Sequence, residues 1–313
     1  MKLNILIIAS ALVLAACGGN TNKTSENLSG TIKIDGSSTV YPVTEAVAEE
    51  FRSVEPDVQV TIGISGTGGG FKKFGRGETD ISDASRPIKQ KEIDICNENN
   101  ISYVDLTVGY DGLAVLVNPE NDWVDYFTVE ELKMLWEPDA QGKIMKWNQI
   151  RPEWPDEEVH LFGPGVASGT FDYFTEAVVG ESGSSRGDFT ASEDDHVLVQ
   201  GIAGDKFGLG FFGLAYYEEN KDKLRLVPVD GGEGAINPTL ETVSNGTYQP
   251  LSRPLFIYVN SEAAKKEEVK EFVRFYLVSA AELTAEIGYV PLPTELYDAE
   301  KKKFEEFVAS IAK

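Results

Sequence analysis

Three times along this chain an apolar run of strand character ends in a loop of glycine and hydroxyl residues that opens a helix. Thr31-Ile32-Lys33-Ile34-Asp35 alternates as a strand, passes through Gly36-Ser37-Ser38-Thr39 and enters a pattern with Val43, Val47 and Phe51 on one helical face. Pro42 suits the first turn of that helix. Val58 to Ile64 is a second strand, running into Ser65-Gly66-Thr67-Gly68-Gly69-Gly70. Val159-His160-Leu161-Phe162 is a third, leading through Gly163-Pro164-Gly165 to Ser168-Gly169-Thr170, after which Phe171, Phe174, Ala177 and Val178 recur at helical spacing. Strand, loop and helix in this order make βα units. They predict α/β architecture, a mostly parallel sheet, and a ligand at the carboxyl ends of the strands.

The loops also carry a chemistry. The first N–H groups of a helix have no intrahelical partner, and the aligned peptide dipoles place partial positive charge beside them, so a helix start is an anion site. Gly169 lets the main chain approach a ligand, and Ser168 and Thr170 add hydroxyl donors. A single Ser or Thr before an apolar run is usually an N-cap and nothing more. Here the Ser-Gly-Thr tripeptide occurs twice, at 65–67 and 168–170, beside a third hydroxyl-rich start at 36–39. The repetition points to convergence on one oxyanion.

Composition narrows the partners. The 313 residues are 42% hydrophobic and 25% charged, enough for two globular domains. With 51 acidic against 28 basic residues the net charge is −23, which argues against nucleic acid, whose phosphates are held by surplus Lys and Arg. A small anion is compatible, because screening over roughly 8–10 Å leaves distant carboxylates little influence on a pocket of neutral dipoles.

The amino terminus reads as an address. Met1-Lys2 and the short apolar run Leu3 to Ala16, ending Leu14-Ala15-Ala16-Cys17-Gly18, resemble a bacterial lipoprotein signal with its lipobox. The resemblance implies cleavage before Cys17 and lipidation of that cysteine, residues 1–16 being signal and 17–29 a polar tether. Cys96 is then the remaining cysteine, without an intrachain disulfide partner. Nearby carboxylates make it a buried structural thiol in expectation, not a nucleophile.

Between the loops, Asp80-Ile81-Ser82-Asp83-Ala84-Ser85-Arg86-Pro87 reads as a short strand with a polar end. Arg86 is placed to grip an oxyanion with two parallel bonds, or to pair with a neighbouring acid; Asp83 is a candidate acceptor for a protonated oxyanion, or a turn cap. Strands at 101–106 and 113–118 bracket Gly109-Tyr110-Asp111-Gly112, whose glycines suit a hinge, and Pro254 to Asn260 is the return crossing. All four tryptophans, Trp123, Trp136, Trp147 and Trp154, fall in one segment and predict lobe core. The segment 247–253 reads as loop, and the carboxyl-terminal helices are expected to pack on the first lobe.

Enzyme spellings occur without their context. Gly183-Ser184-Ser185-Arg186-Gly187 matches a nucleophile elbow but has no strand before it. Gly208-x-Gly210-x-x-Gly213 matches a dinucleotide fingerprint, but Gly210 to Tyr217 itself reads as strand. His160 is expected in the core and His196 in solvent, which leaves no triad and no zinc set. No catalytic residue, metal or cofactor is assigned.

The motifs at 35–42, 64–73, 80–87 and 163–174, in that order, resemble the periplasmic phosphate-binding protein family of the phosphate-specific ABC transporter, PstS type. The resemblance implies a type II binding-protein fold, with two α/β lobes, each a mixed sheet flanked by helices, joined by a two-strand hinge. It assigns residues 30–110 and 257–313 to one lobe and 111–256 to the other. It makes Ser38, Thr39, Ser65, Thr67, Ser168, Gly169 and Thr170 the donors to phosphate. The family's acidic acceptor falls on Asp83 or on Ser85, and in the second case Arg86 becomes a direct ligand. Where some relatives carry an arginine shortly before the Ser-Gly-Thr of the second lobe, this chain has Gly163-Pro164-Gly165, which leaves Arg86 as the positive partner. The partners implied are inorganic phosphate and ABC permease subunits, for a monomer held by its lipid at the outer face of the cytoplasmic membrane or in the periplasm. Sulfate or molybdate is the alternative ligand, and a cell-surface serine hydrolase the alternative class.

Overall fold

The structure is a computed structural model that describes residues 28–166, 168–192 and 194–312. The signal segment and the lipidation position Cys17 lie outside the described residues. Leu28, read as tether, is half-buried against the first core.

The chain begins with β1 (Gly30–Gly36), α1 (Tyr41–Val54), β2 (Val58–Gly63), α2 (Gly66–Phe74), β3 (Ile81–Ala84) and α3 (Gln90–Glu98). Then β4 (Tyr103–Val117) carries it across. The second lobe contains β5 (Phe127–Thr128), α4 (Val129–Trp136), β6 (His160–Pro164), α5 (Gly169–Val178), β7 (Thr190–Ser192) and α6 (Asp195–Gly204). It continues with β8 (Gly208–Gly213), α7 (Leu214–Glu218), β9 (Arg225–Val227), β10 (Val229–Asp230), β11 (Ala235–Ile236) and α8 (Leu240–Ser244). Strand β12 (Ser252–Asn260) returns to the long helices α9 (Glu267–Glu286) and α10 (Thr294–Ile311).

Strand order in the main sheet is β2-β1-β3-β12-β4-β8-β6-β7, with β9 also on β4, and β11-β10-β5 form a small separate sheet. Strands β1, β2 and β3 are parallel to one another, as are β6, β7 and β8, while β12 is antiparallel to both its neighbours. The two lobes share β4. Residues Tyr103 to Gly112 pair with β12, whereas Leu113 to Val117 pair with β8 and β9.

That sharing corrects the sequence reading of two strands around a glycine loop. Gly109 and Gly112 lie inside one continuous strand, where the glycines serve packing: a Cβ on Gly109 would lie 2.8 Å from Thr284 Cγ2, and one on Gly112 2.9 Å from Val243. Similarly, β12 begins at Ser252, inside the segment read as loop, because its first residues pair with Gly112 and Asp111.

Two cores flank the crossing. The first joins Ile32, Val43, Val47, Phe51 and Leu106 to Phe272 and Tyr276 of α9; the second runs from Leu113 to Leu251 and includes Trp136, Trp147 and Trp154. The face of α1 expected from its 3.6-residue spacing is the buried one. Phe174 stacks on Phe211 at 3.6 Å between centroids, and Trp147 meets Trp154 at 5.7 Å. Cys96 is buried beside Phe71 and Phe74, and burial, then the charge of Glu92, pushes its thiol up.

Trp147 is fully buried, so Trp147→Ala should lower unfolding free energy by about 3–5 kcal/mol through lost transfer energy and a cavity. Urea denaturation followed by far-UV circular dichroism is the check; a loss below ~1 kcal/mol would contradict this packing.

Candidate functional site

Parallel β1, β2 and β3 deliver three loops side by side at their carboxyl ends. The fit there is close. A Cβ on Gly36 would lie 2.0 Å from the Asp83 carbonyl oxygen, and one on Gly70 2.6 Å from Gly36 Cα, so a side chain at Gly36 would force the first loop from β3 and one at Gly70 would force α2 from the first loop. Ser37 N–H donates to Asp83 O at 3.0 Å, and Ser37 Oγ accepts from Thr39 N–H at 3.2 Å.

The three helix starts differ in how their donors are used. At α2, the N-cap Ser65 turns its hydroxyl to the Asp35 carboxylate and makes no side-chain cap, so the first N–H groups of that helix are left for the cleft. Thr67 Oγ1 accepts from Ser85 N–H at 3.2 Å and shares a hydroxyl bond with Ser85 Oγ at 3.2 Å. At α5, Ser168 Oγ accepts from Thr170 N–H at 3.2 Å, a true N-cap that leaves its own proton to donate elsewhere.

A cavity of ≈ 550 Å³ opens between the lobes. Ser38, Thr39, Thr67, Ser85 and Arg86 line one wall, Asp172, Tyr173 and Glu176 of α5 the other, and Arg253 of β12 the hinge side. Ser168, Gly169 and Thr170 border a second cavity of ≈ 420 Å³. The start of α5 nevertheless faces the first loop, since a Cβ on Gly169 would stand 3.9 Å from Thr39 Cα and Oγ1. Of the residues singled out in the sequence, Ser65 and Asp83 line neither cavity. Ser65 is held back by Asp35, and Asp83 points into the lobe because strand alternation places it on the face of Ile81, toward α1 and α9. Ser85 therefore takes the place in the wall that the sequence left open between the two.

The cations beside the cleft are paired. Arg86 forms a two-bond ion pair with buried Glu92, at 2.8 and 2.9 Å, the neighbouring acid being the second of the two partners the sequence offered it. Burial pushes Glu92 up, and the Arg86 bonds with the Lys89 N–H more than reverse it, leaving its carboxyl below the ordinary value. Asp35 behaves alike: burial raises it, and Lys73 at 2.5 Å with Ser65 brings it below the usual range. Asp83 has no such compensation. It is 1% exposed, neither oxygen has a hydrogen-bond partner among the described residues, and burial pushes it up to about 7 against the opposing Thr44 hydroxyl, the Asp35 charge adding.

Arg253 is the residue that sequence reasoning missed. Its Nη2 donates to Thr39 Oγ1 at 2.8 Å and to Asp111 Oδ2 at 3.1 Å, its Nε donates to the same oxygen at 3.2 Å, and its guanidinium carbon lies 3.6 Å from the Tyr173 ring centroid. The available signal was an arginine at the edge of an apolar strand. Its partners stand 142 and 214 residues away, beyond any local pattern.

The enzyme spellings resolve into structure. Buried Arg186 donates to the carbonyls of Leu135 and Ile144 and pairs with Asp188, so its loop is a strut of the second lobe. Gly208 to Gly213 is β8 itself, with helix from Leu214 where strand was expected. His160, expected in the core, is exposed at the outward register of β6 and pairs with Asp205.

Two lobes on a pair of crossing strands, with helix starts facing a common cleft, define a solute-binding protein of the periplasmic type, and a family model described as a PBP superfamily domain matches residues 21–280. The chain is 49% identical over 299 residues to Protein SphX of Synechocystis sp., covering 95% of this chain and 88% of that protein. It is 38% identical over 310 residues to the phosphate-binding protein PstS of Staphylococcus saprophyticus, covering 98% and 94%. The crystal structure of a possible phosphate binding protein from Planctomyces limnophilus superposes with a TM-score of 0.85 at 45% identity, covering 90% of this chain and 99% of that one. The chain belongs to the PstS-type family of phosphate-binding proteins.

Asp83 offers a test of the lobe's electrostatics. The folded protein keeps its proton up to about pH 7, whereas the unfolded chain releases it near pH 4, so this carboxyl opposes folding increasingly across that window. Asp83→Asn should gain up to about 4 kcal/mol relative to wild type between pH 4 and pH 8. Chemical denaturation at the two pH values measures it, and a pH-independent difference would refute the buried, unpaired carboxylate.

Proposed function

We propose that this protein is an extracytoplasmic receptor that captures inorganic phosphate between its two lobes and delivers it to an ABC permease, acting as a monomer held to the membrane through a lipid on Cys17. The observation that carries the reading is the convergence of helix starts from two lobes: the α1 and α2 loops line one wall of the cleft, and the α5 start faces them across it, close enough that a Cβ on Gly169 would stand 3.9 Å from Thr39. Ser38, Thr39, Thr67 and Ser85 supply hydroxyls, the α2 start supplies backbone N–H groups, Ser168, Gly169 and Thr170 close from the second lobe, and Arg86 adds its remaining N–H donors. Ser65 and Asp83 act from behind the wall, Ser65 by orienting Asp35 and Lys73 beneath α2.

The magnitudes suffice. Micromolar affinity corresponds to about 8 kcal/mol. Roughly seven to ten donors at about 1 kcal/mol net each reach that figure after some cost for ordering the cleft. Phosphate is favoured over sulfate because Asp172 and Glu176 stand in the opposite wall of the same cavity. A carboxylate there accepts the proton of a monoprotonated phosphate, whereas sulfate at neutral pH has none to give.

Isothermal titration of the tether-free protein against phosphate, sulfate and molybdate is the test. Phosphate is expected to bind and sulfate at roughly tenfold excess to leave it in place; Ser85→Ala and Ser168→Ala should each weaken phosphate by about three- to tenfold. Unchanged affinity in both variants would remove the site, and preferential uptake of sulfate would replace the ligand.

A further inference from the structure

Two guanidinium groups border the cleft, and they are engaged differently. Arg86 gives both Nη1 protons to its own lobe, to Pro87 O at 3.0 Å and Glu92 Oε2 at 2.9 Å, and one Nη2 proton to Glu92 Oε1. Arg253 gives Nε and both Nη2 protons to Asp111 Oδ2 and Thr39 Oγ1. Its Nη1 protons meet no acceptor among the described residues, although the side chain is 13% exposed and lines the cavity. A charged donor group turned to an open cavity and engaged by nothing in the protein is free to take an anionic acceptor there.

The surroundings hold Arg253 rigidly. Its strand partner is Asp111, opposite it in register on β4, and the Tyr173 ring of α5 lies against its flat face. Thr39 belongs to the first loop, so one side chain touches both lobes and both crossing strands. Asp111 is buried, and its Oδ1 has no partner among the described residues, so the pair meets through a single carboxylate oxygen.

We infer that Arg253 is the cation of this cleft that faces the bound oxyanion, offering it Nη1 while its bond to Thr39 Oγ1 fixes that hydroxyl as a donor to the same ligand. A hydroxyl whose lone pair accepts from a guanidinium has its own proton free to give. Asp111 is a positioning residue that neutralises Arg253 while the cleft is empty. Arg86, tied to Glu92 and Pro87 O, holds the third loop in place and keeps only Nε and one Nη2 proton for the ligand. This inference rests on the oxyanion reading above.

Removing Arg253 alone would leave Asp111 as an uncompensated buried charge and threaten the fold. The decisive comparison is therefore between Asp111→Asn and the double variant Asp111→Asn with Arg253→Gln, which differ by the guanidinium in an otherwise uncharged setting. Both are titrated calorimetrically with inorganic phosphate alongside wild type, with ligand-free melting temperatures recorded. The double variant is expected to bind about tenfold or more weakly than Asp111→Asn, with both folded. Affinities equal within about twofold would make Arg253 a mere companion of Asp111 and overturn the inference, leaving wild-type phosphate binding intact. Should wild type take up none of phosphate, sulfate and molybdate, the oxyanion reading fails first and the inference with it.

Discussion

The pairing of β4 with β12 is the contact on which the rest of the molecule depends. Nine residues of β12 lie against β4 from Gly112 to Tyr103, and the far half of β4 is built into the second lobe through β8 and β9. One strand thus belongs to two sheets. Its backbone hydrogen bonds set how far apart the lobes stand and bring Asp111 opposite Arg253 at the base of the cleft. The glycines in β4 let α8, α9 and the segment around Val290 pack directly on the crossing, which explains why a stretch that looks flexible in composition is part of the sheet.

An acidic protein that holds an anion needs local charge to differ from net charge. Three ion pairs stand beside the α1 and α2 loops: Lys73 with Asp35, Arg86 with Glu92, Arg253 with Asp111. Such pairs present little net field on that side of the cavity, where N–H and O–H dipoles need no counterion when the cleft is empty. The acids of α5 are across the gap from Arg86, and the charge of Glu176 stabilises the charged form of that arginine. Membership in the PstS-type family fits this arrangement.

Much of the lobe structure was legible in the residues. Val43, Val47 and Phe51 declared the buried face of α1, the tryptophans declared the second core, and Ser168 declared the cap of α5, because these are local regularities that hydrophobic burial and unpaired helix N–H groups impose wherever they occur. Asp83 and Ser85 could not be told apart on those grounds. They are two residues apart and point to the same face of an ideal strand, and the choice between them is made by where β3 ends: Asp83 is within the strand and faces α1, whereas Ser85 is past its end, free to turn to Thr67. The partner of Arg86 and the exposure of His160 were illegible for a related reason, since whether a polar side chain meets a ligand, a carboxylate or water depends on what the rest of the chain brings beside it.

By itself the sequence determined the βα order, the faces of the helices, the hydroxyl-rich helix starts and an anionic surface, all of which follow from interactions within a few residues of one another. Only the tertiary structure decided that β4 is one strand shared by both lobes, that Arg86 is bound to Glu92, and that Arg253 joins Thr39, Asp111 and Tyr173 at the cleft. Those contacts span 6, 142, 214 and 80 residues or a sheet register, and a guanidinium takes whichever acceptors folding places within about 3 Å of it.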